Sequence, residues 1–399
     1  MSGYSVRSGY IVRFEREAGL DPVVVTSAQH PGGGAAQEEI GGVSYRRTPA
    51  QSEDARPLLR ELKLIRAMER SVDAAIRAWK PDVVHAHSPV LVGFPAMRAA
   101  RKHGLPFVYE VRDLWENASV DRGKFKEGSA LYRAARRTEG FVFQRADAVV
   151  TICQSLRDEL APRVEPHTAL HVVSNGVEVA RFKPAPPSDE VRARWRLGGK
   201  RVIGYLGAFQ PWEGIPDLIA AMPAVAAAVP EAHLLITGGG DVEGELRAQV
   251  ESSGLGHLVT FTGRVPHAEV DGLIALAELM VYPRILTRTT ALTTPLKPLE
   301  AMAMERPVLV SDVPALLELV RPGETGMVFR AGDVGDLAAK CVRVLSDPAL
   351  ARAMGKAARG WIERERDWAG LIAGYRGIYE GAARAHAGAP RGGLRRVFS

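Results

Sequence analysis

The sequence predicts an α/β protein made of two doubly wound, parallel-sheet domains. Three observations carry this. Short, nearly continuous apolar runs rich in β-branched residues alternate with longer helical patterns along the whole chain, as parallel strands covered on both faces require. The alternation breaks once, at the Pro-rich stretch RFKPAPPSDEVRARWRLGGKR (181–201), and then resumes. Glycine and polar residues collect at the carboxyl ends of the strand candidates in both halves.

The elements follow in order. Strands are expected at PVVVT (22–26), DVVHAH (82–87), PFVYEVRD (106–113), ADAVVTIC (146–153) and ALHVVSNGV (169–177). After the break they are expected at RVIGYLGAF (201–209), AHLLITGGG (232–240), LVTFTGRV (258–265), ELMVYPR (278–284), PVLVSDV (307–313) and TGMVF (325–329). Amphipathic patterns such as LLRELKLIRAMERSVDAAIRAW and IPDLIAAMPAVAAAV supply the helices between them, and strict alternation of this kind gives a doubly wound sheet. The expected domains are 1–180 and 199–365, joined by a linker at 181–198. An aromatic amphipathic helix at 366–385 is expected to cross back over the junction, followed by a disordered Gly/Arg-rich tail at 386–399. GGGAAQ (32–37) is read as a flexible loop, since it does not lead from a strand into a helix.

Composition narrows the function classes. Apolar residues make up 46% and charged residues 25%, which are globular values. The net charge of +6 is shared evenly by the two halves, so no basic domain points to nucleic acid. Cys153 and Cys341 lie far apart in apolar settings, which speaks against a disulfide framework and for a reduced, cytoplasmic setting. No apolar run reaches the roughly 20 residues needed to span a bilayer. HExxH, paired CxxC, a DxD after a strand and a Walker A loop are all absent, so neither a metal nor a P-loop is indicated.

In doubly wound sheets ligands bind outside the carboxyl ends of the strands, and two such edges facing one another would form a cleft. The stretch TTALTTPLKPLEAMAMERPVLVSD (289–312) lies at that edge. Two readings of its helix start are open. Pro298 suits a first helical turn and Glu300 could satisfy free N–H groups there. Alternatively, Lys297 and the helix start face a diphosphate while Glu300 accepts bonds from ribose hydroxyls. Gly207 and the glycines 238–240 suit either a tight turn or close approach of a nucleotide. Arg264 and Arg284 sit at strand ends where a purely structural arginine is less expected. His87 could orient a hydroxyl or cap its strand, and Arg112-Asp113 could be a buried ion pair or part of an acceptor site.

Several stretches together resemble family-4 glycosyltransferases of the GT-B fold: SGYSVRS, PDVVHAHSP, VYEVRDLWENASVD, RADAVVTIC, VVSNGVEVARFKP, GYLGAFQPWEG, LLITGGG, TGRVPHAEV, TPLKPLEAMA and PGETGMVF. They occur in family order over nearly the whole chain. EVRDLWE and TPLKPLEAMA are similar to the exosortase- and exopolysaccharide-associated subgroup. The resemblance implies two Rossmann-like domains. It implies transfer of a sugar from a nucleotide-sugar to an acceptor hydroxyl with retention, without a metal or any cofactor, the nucleotide-sugar being a substrate. It places the donor on the C-terminal domain and a glycan or lipid-linked acceptor on the N-terminal one, with peripheral contact at the inner face of the membrane as an option. Glu300 then corresponds to the second glutamate of the family's paired motif. Lys297 and Arg284 neutralise the diphosphate, and Gly3 and Arg7 match a glycine loop near the donor phosphates. Catalytic residues are expected to be Glu300, Lys297, Asp113 and Arg112. Donor contacts are expected from Gly3, Arg7, Gly207, Gly239, Arg264, Arg284, Lys297 and Glu300, and acceptor contacts from His87, Arg112 and Asp113.

The chain departs from the family pattern in places. Relatives often carry a glutamate near 291, where this chain has Ala291 followed by Leu292. They place Arg and Lys in the loop spanned here by Ala208–Glu213, and prefer two glycines where Pro314-Ala315 stand. The chain also begins in the loop that would follow the first strand, so that central strand is expected to be missing, leaving unpaired backbone on both neighbours. Two other readings stand beside the transferase: a non-catalytic nucleotide-binding scaffold, and a sugar-nucleotide epimerase of the same fold.

Overall fold

The computed structural model describes residues 3–27, 36–49, 57–124, 126–388 and 397–398. The apolar runs become strands: β1 (Val23–Thr26), β2 (Gln37–Ile40), β3 (Val43–Arg47), β4 (Val83–His87), β5 (Phe107–Val111), β6 (Ala148–Thr151), β7 (Ala169–Val172), β8 (Arg201–Ala208), β9 (Ala232–Gly239), β10 (Val259–Gly263), β11 (Leu279–Tyr282), β12 (Val308–Ser311), β13 (Met327–Phe329) and β14 (Val397–Phe398). Loop residues 28–35 and tail residues 389–396 and 399 lie outside the described set. The chain divides into two units, one of residues up to Ser174 together with those from Trp368, the other Asn175–Asp367.

In the second unit six strands pair in the order β10-β9-β8-β11-β12-β13, all in parallel. The order runs outward from β8 to β10 on one side and from β11 to β13 on the other. The switch point therefore falls between β8 and β11, where such sheets leave a crevice at their carboxyl ends. One apolar cluster, including Ile219, Met222, Leu234 and Cys341, covers one face, and another, including Leu273, Met280, Met302 and Ile362, covers the other. β11 and β12 are buried throughout, which is why they read as unbroken apolar runs rather than alternating ones.

The first unit holds β4-β5-β6-β7 in parallel. A separate three-stranded sheet pairs β1 with β3 in parallel and β2 with β3 antiparallel. β14 adds in parallel to the free edge of β4, pairing Val397 with Val83 and Phe398 with Val84. The first helix is Gly3–Glu17, and Met1 and Ser2 lie outside the described residues.

Three boundaries need correction. The units part at 174/175 and 367/368 rather than near 180 and 365. The segment 181–198 is not a free linker, because Phe182 and Leu197 are buried in the second unit. A helix forms at Asp189–Arg194, capped by Ser188 and carrying Asp189 and Glu190 in its first turn, an N-terminal signature that the neighbouring prolines masked. The tail is not disordered from 386, since the helix Tyr375–Gly388 continues through that position and 397–398 form β14.

The expected C-terminal helix belongs to the first unit in two pieces, Trp368–Ala373 and Tyr375–Gly388. Trp368 is fully buried, stacks on Tyr10 at 5.5 Å and receives the Arg7 guanidinium at 5.4 Å. Tyr375 and Tyr379 donate to the buried carboxylates of Glu110 and Glu15. These hydroxyls add hydrogen bonds to two buried acids, which burial makes costly to leave unsatisfied.

Candidate functional site

The stretch 289–312 builds one wall at the carboxyl ends of β11 and β12. Thr287, just before that stretch, and Thr290 within it form a reciprocal capping box on the helix Arg288–Leu292, and Thr290 Oγ1 also donates to Ile285 O at 2.7 Å. Asn175 Nδ2 donates to Thr294 O at 2.8 Å. The next helix runs Lys297–Ala303, which makes Glu300 its fourth residue rather than its third. The Glu300 carboxylate does not cap the helix. It receives Lys297 Nζ at 2.8 and 3.1 Å and is 6% exposed. Burial raises its pKa, against the opposing pull of Lys297. Tyr282 donates to Lys297 O at 3.0 Å, fixing the helix start to the end of β11.

Arg284 follows β11 and is held on four sides. Glu213 grips it bidentately, at 3.1 Å from Nε and 2.8 Å from Nη2. Nη1 donates to Thr293 O at 2.9 Å, and Ser311 donates to Arg284 O at 2.6 Å. Both side chains of the ion pair are 12% exposed. The turn Pro211–Glu213 reaches Arg284 because Gly214 adopts φ +69°. A Cβ at Gly214 would stand 1.8 Å from Pro283 O, so Gly214→Ala is expected to lower the second unit's stability by about 1–3 kcal/mol, read as a drop in Cm at unchanged m. Glu213 is the residue that sequence reasoning missed. Its signal was present, a carboxylate directly before a glycine in the PWEG turn opposite an arginine at a strand end.

The glycines also have a structural use. Gly238 has φ +141°, and a Cβ there would lie 1.8 Å from Gly207 O. A Cβ on Gly240 would come 2.5 Å from Phe209 O. The run therefore lets the ends of β8 and β9 approach closely. Gly239 lies against the Arg264 side chain, at 3.1 Å from an ideal Cβ. Arg264 is exposed, and the described residues give it no ion pair. The second unit thus gathers Gly207, Gly239, Arg264, Arg284, Lys297 and Glu300 at one sheet edge. Ala291 and Leu292 are half-buried in the helix Arg288–Leu292 and supply no carboxylate.

In the first unit Glu110 organises the remaining candidates. Arg7 Nε donates to Glu110 Oε1 at 3.0 Å and Arg112 Nε to the same oxygen at 2.6 Å. Burial would raise Glu110, but Arg7 and then Arg112 hold its carboxyl well below the usual range. Arg7 also donates to Val173 O at 2.8 Å and Ser174 O at 3.1 Å and is buried. Arg7 lies within the helix Gly3–Glu17, held against the sheet, rather than in the glycine loop that the resemblance implied. Gly3 begins that helix, with open space where a Cβ would stand.

Arg112 extends further, donating to Ser8 Oγ at 2.8 Å and to His87 Nδ1 at 3.0 Å. Burial first, then Arg112, lowers His87 well below its ordinary pKa. The ring is therefore neutral, and with Nδ1 accepting, the proton sits on Nε2, which has no hydrogen-bond partner. Asp113 is pushed up to about 7 by burial. His85, His87 and Glu110 offer ligand atoms within 4.8 Å of one another. A cation fits this cluster poorly, because two guanidinium groups already occupy Glu110 and one holds His87 Nδ1.

Behind Asp113, Glu139 is buried and accepts from Tyr109 at 2.6 Å. Burial pushes it up to about 8. A carboxyl whose folded pKa exceeds its unfolded value keeps its proton longer in the native state, so stability falls as pH rises from about 4.5 towards 8. Glu139→Gln keeps the acceptor for Tyr109 but cannot ionise. Its melting temperature should fall less than that of the parent across this range, and equal slopes would contradict the shift.

Family comparisons agree with this geometry. Residues 2–176 match the glycosyl transferase 4-like domain and residues 200–347 match glycosyl transferases group 1. Glycogen synthase of Mycobacterium tuberculosis is 30% identical over 77% of this chain and 70% of its own length. The GDP-mannose-dependent alpha-(1-6)-phosphatidylinositol monomannoside mannosyltransferase of the same organism is 30% identical over 62% of this chain and 65% of its own. Sucrose-phosphate synthase from Thermosynechococcus elongatus superposes with a TM-score of 0.78 at 22% identity, covering 95% of this chain and 93% of that one, which supports the two-domain GT-B architecture. The two matched domains are those of a glycosyltransferase, and the chain belongs to the group 1 glycosyltransferase family. Among the described residues no helix is long and apolar enough to cross a membrane.

Proposed function

We propose that the protein transfers a sugar from a nucleoside-diphosphate sugar to an acceptor hydroxyl, with retention of configuration and without a metal, in synthesis of exopolysaccharide or another cell-surface glycan. The observation that carries the donor assignment is the Lys297–Glu300 pair beside the clamped Arg284, at the switch-point edge of the second sheet. Lys297 and Arg284 meet the charge that grows on the departing diphosphate. Preorganised cations in a poorly hydrated site are usually the largest catalytic contribution. Glu300, held by Lys297, accepts from the ribose hydroxyls. Arg264 and the backbone at Gly207 and Gly239 border the same site.

On the acceptor unit, His87, whose ring Arg112 holds, and Asp113 border the acceptor. Arg7 acts by fixing Glu110 and hence Arg112. The glycan or lipid-linked acceptor is a proposal from the family resemblance, supported by the mannosyltransferase relative, whose name includes a lipid acceptor. The test is incubation of the purified protein with a set of nucleotide-sugars and glycan acceptors in EDTA, with the product's anomeric configuration read by NMR. A product of the donor's own configuration is expected. An inverted product, or turnover only after a divalent ion is restored, would contradict the proposed chemistry.

A further inference from the structure

The helix Ala130–Phe143 carries a second cationic feature that none of the chemistry above uses. Arg133, Arg136 and Arg137 stand three and four residues apart, so they share a face and repel one another. Gly140 follows one turn on. Glycine weakens a helix interior, and here a Cβ would meet nothing within 4 Å, so the missing side chain leaves open space. That space is a pocket of about 380 Å³ lined by Arg133, Arg136, Arg137, Gly140, Gln144 and Arg163. No acidic residue lines it.

Its far wall is prebuilt. Arg163 comes from the turn Ala161–Arg163 and its side chain is 9% exposed. It packs over Phe143 at 5.0 Å, donates to Arg136 O at 3.3 Å, and ion-pairs with buried Glu116 at 3.1 Å. Arg136 is 3.5 Å from Glu159 and 4.0 Å from Glu116. Those two acids offset two of the four charges. Arg133 spends one nitrogen on Gly128 O, and Arg137 has no hydrogen-bond or ion-pair partner among the described residues. The surplus is about two positive charges around a cavity the size of a small ligand site, about 300 Å³ and upwards.

We infer that this pocket binds a phosphate-bearing anion, separately from the donor site. Guanidinium forks suit phosphate oxygens through paired hydrogen bonds. A cluster of like charges on a helix that glycine further weakens is accounted for by an anion that relieves the repulsion. The anion is either the headgroup phosphate of a lipid or a soluble phosphate, and the chemistry of the pocket is the same for both.

The test is calorimetric titration of the whole protein with inorganic pyrophosphate, comparing the parent, Arg133→Ala/Arg137→Ala, Arg137→Ala alone and Lys297→Ala. Both pocket positions are exposed and their removal relieves repulsion, so the variants are expected to fold, as their melting temperatures will show. Pyrophosphate should bind a site that survives Lys297→Ala and weakens roughly tenfold or more in the double variant. Co-sedimentation with phosphatidylcholine vesicles, with and without phosphatidylglycerol, then separates the sources. Pelleting that needs phosphatidylglycerol and is lost in the double variant identifies a lipid headgroup, and pyrophosphate binding without pelleting identifies a soluble anion. Absence of any site surviving Lys297→Ala, or equal affinity in the double variant, would overturn the inference.

Discussion

Lys297→Ala is expected to lower kcat/KM by about 10²–10³-fold, the loss seen when one preorganised group facing the reacting charge is removed, about 2.7–4 kcal/mol. The effect should fall mainly on kcat, because the ammonium matters most once the diphosphate carries its full charge. A second consequence follows from the geometry. Glu300 is buried and Lys297 Nζ lies within hydrogen-bond distance of both its oxygens. Without Lys297, burial acts on Glu300 unopposed by its main partner, so the carboxyl moves further up and accepts less well from ribose hydroxyls at neutral pH. Lys297→Ala should therefore also weaken nucleotide binding, and more so as pH falls. Glu300→Gln should weaken nucleotide binding too, but without added pH dependence from position 300. A Lys297→Ala enzyme with unaltered kcat would remove lysine from the chemistry.

Glu213→Gln is expected to give the second-largest effect, acting through Arg284. Removing one partner of a buried ion pair costs about 3–5 kcal/mol, and with both groups 12% exposed the low end of that range applies. The Arg284 guanidinium would lose its charged partner and keep its bond to Thr293 O. The second unit should lose stability, and donor KM should rise because the guanidinium is no longer held at the edge. Glu213→Gln combined with Arg284→Gln should be less damaging than the sum of the two, since each single variant leaves an unpaired group. Fully additive stability losses would show that the two side chains act independently.

The sheets were legible because burial on both faces leaves an unmistakable apolar run, as at β11 and β12. Arg284 stood out because a purely structural arginine is less expected at the carboxyl end of such a strand, and Lys297 and Glu300 because they open a helix beside the same edge. What escaped reading depended on pairings between distant segments. Glu213 gains its meaning only from Arg284, 71 residues on, and Arg7 is buried by Glu110 and Tyr375, over 100 and over 360 residues away. The segment 181–198 looked like a linker because prolines dominate its start, yet Ser188 and two acids begin a helix and Phe182 and Leu197 bury themselves. For the glycines 238–240, the φ of Gly238 and the close contacts of Gly238 and Gly240 show that neighbouring strand ends require at least these two, a need that appears only once β8 and β9 are side by side.

The most direct test of the donor assignment is thermal unfolding of the protein alone and with UDP, GDP, ADP or dTDP, repeated with Lys297→Ala. Ligand at about 100 times its dissociation constant stabilises the native state by about 2.7 kcal/mol, a shift of roughly 2–4 °C per kcal/mol for a unit of this size. One nucleotide should raise the melting temperature of the parent and raise that of Lys297→Ala less at the same concentration. A cooperative melt that no nucleotide moves, or one moved equally in both proteins, would contradict the placing of the donor diphosphate against Lys297.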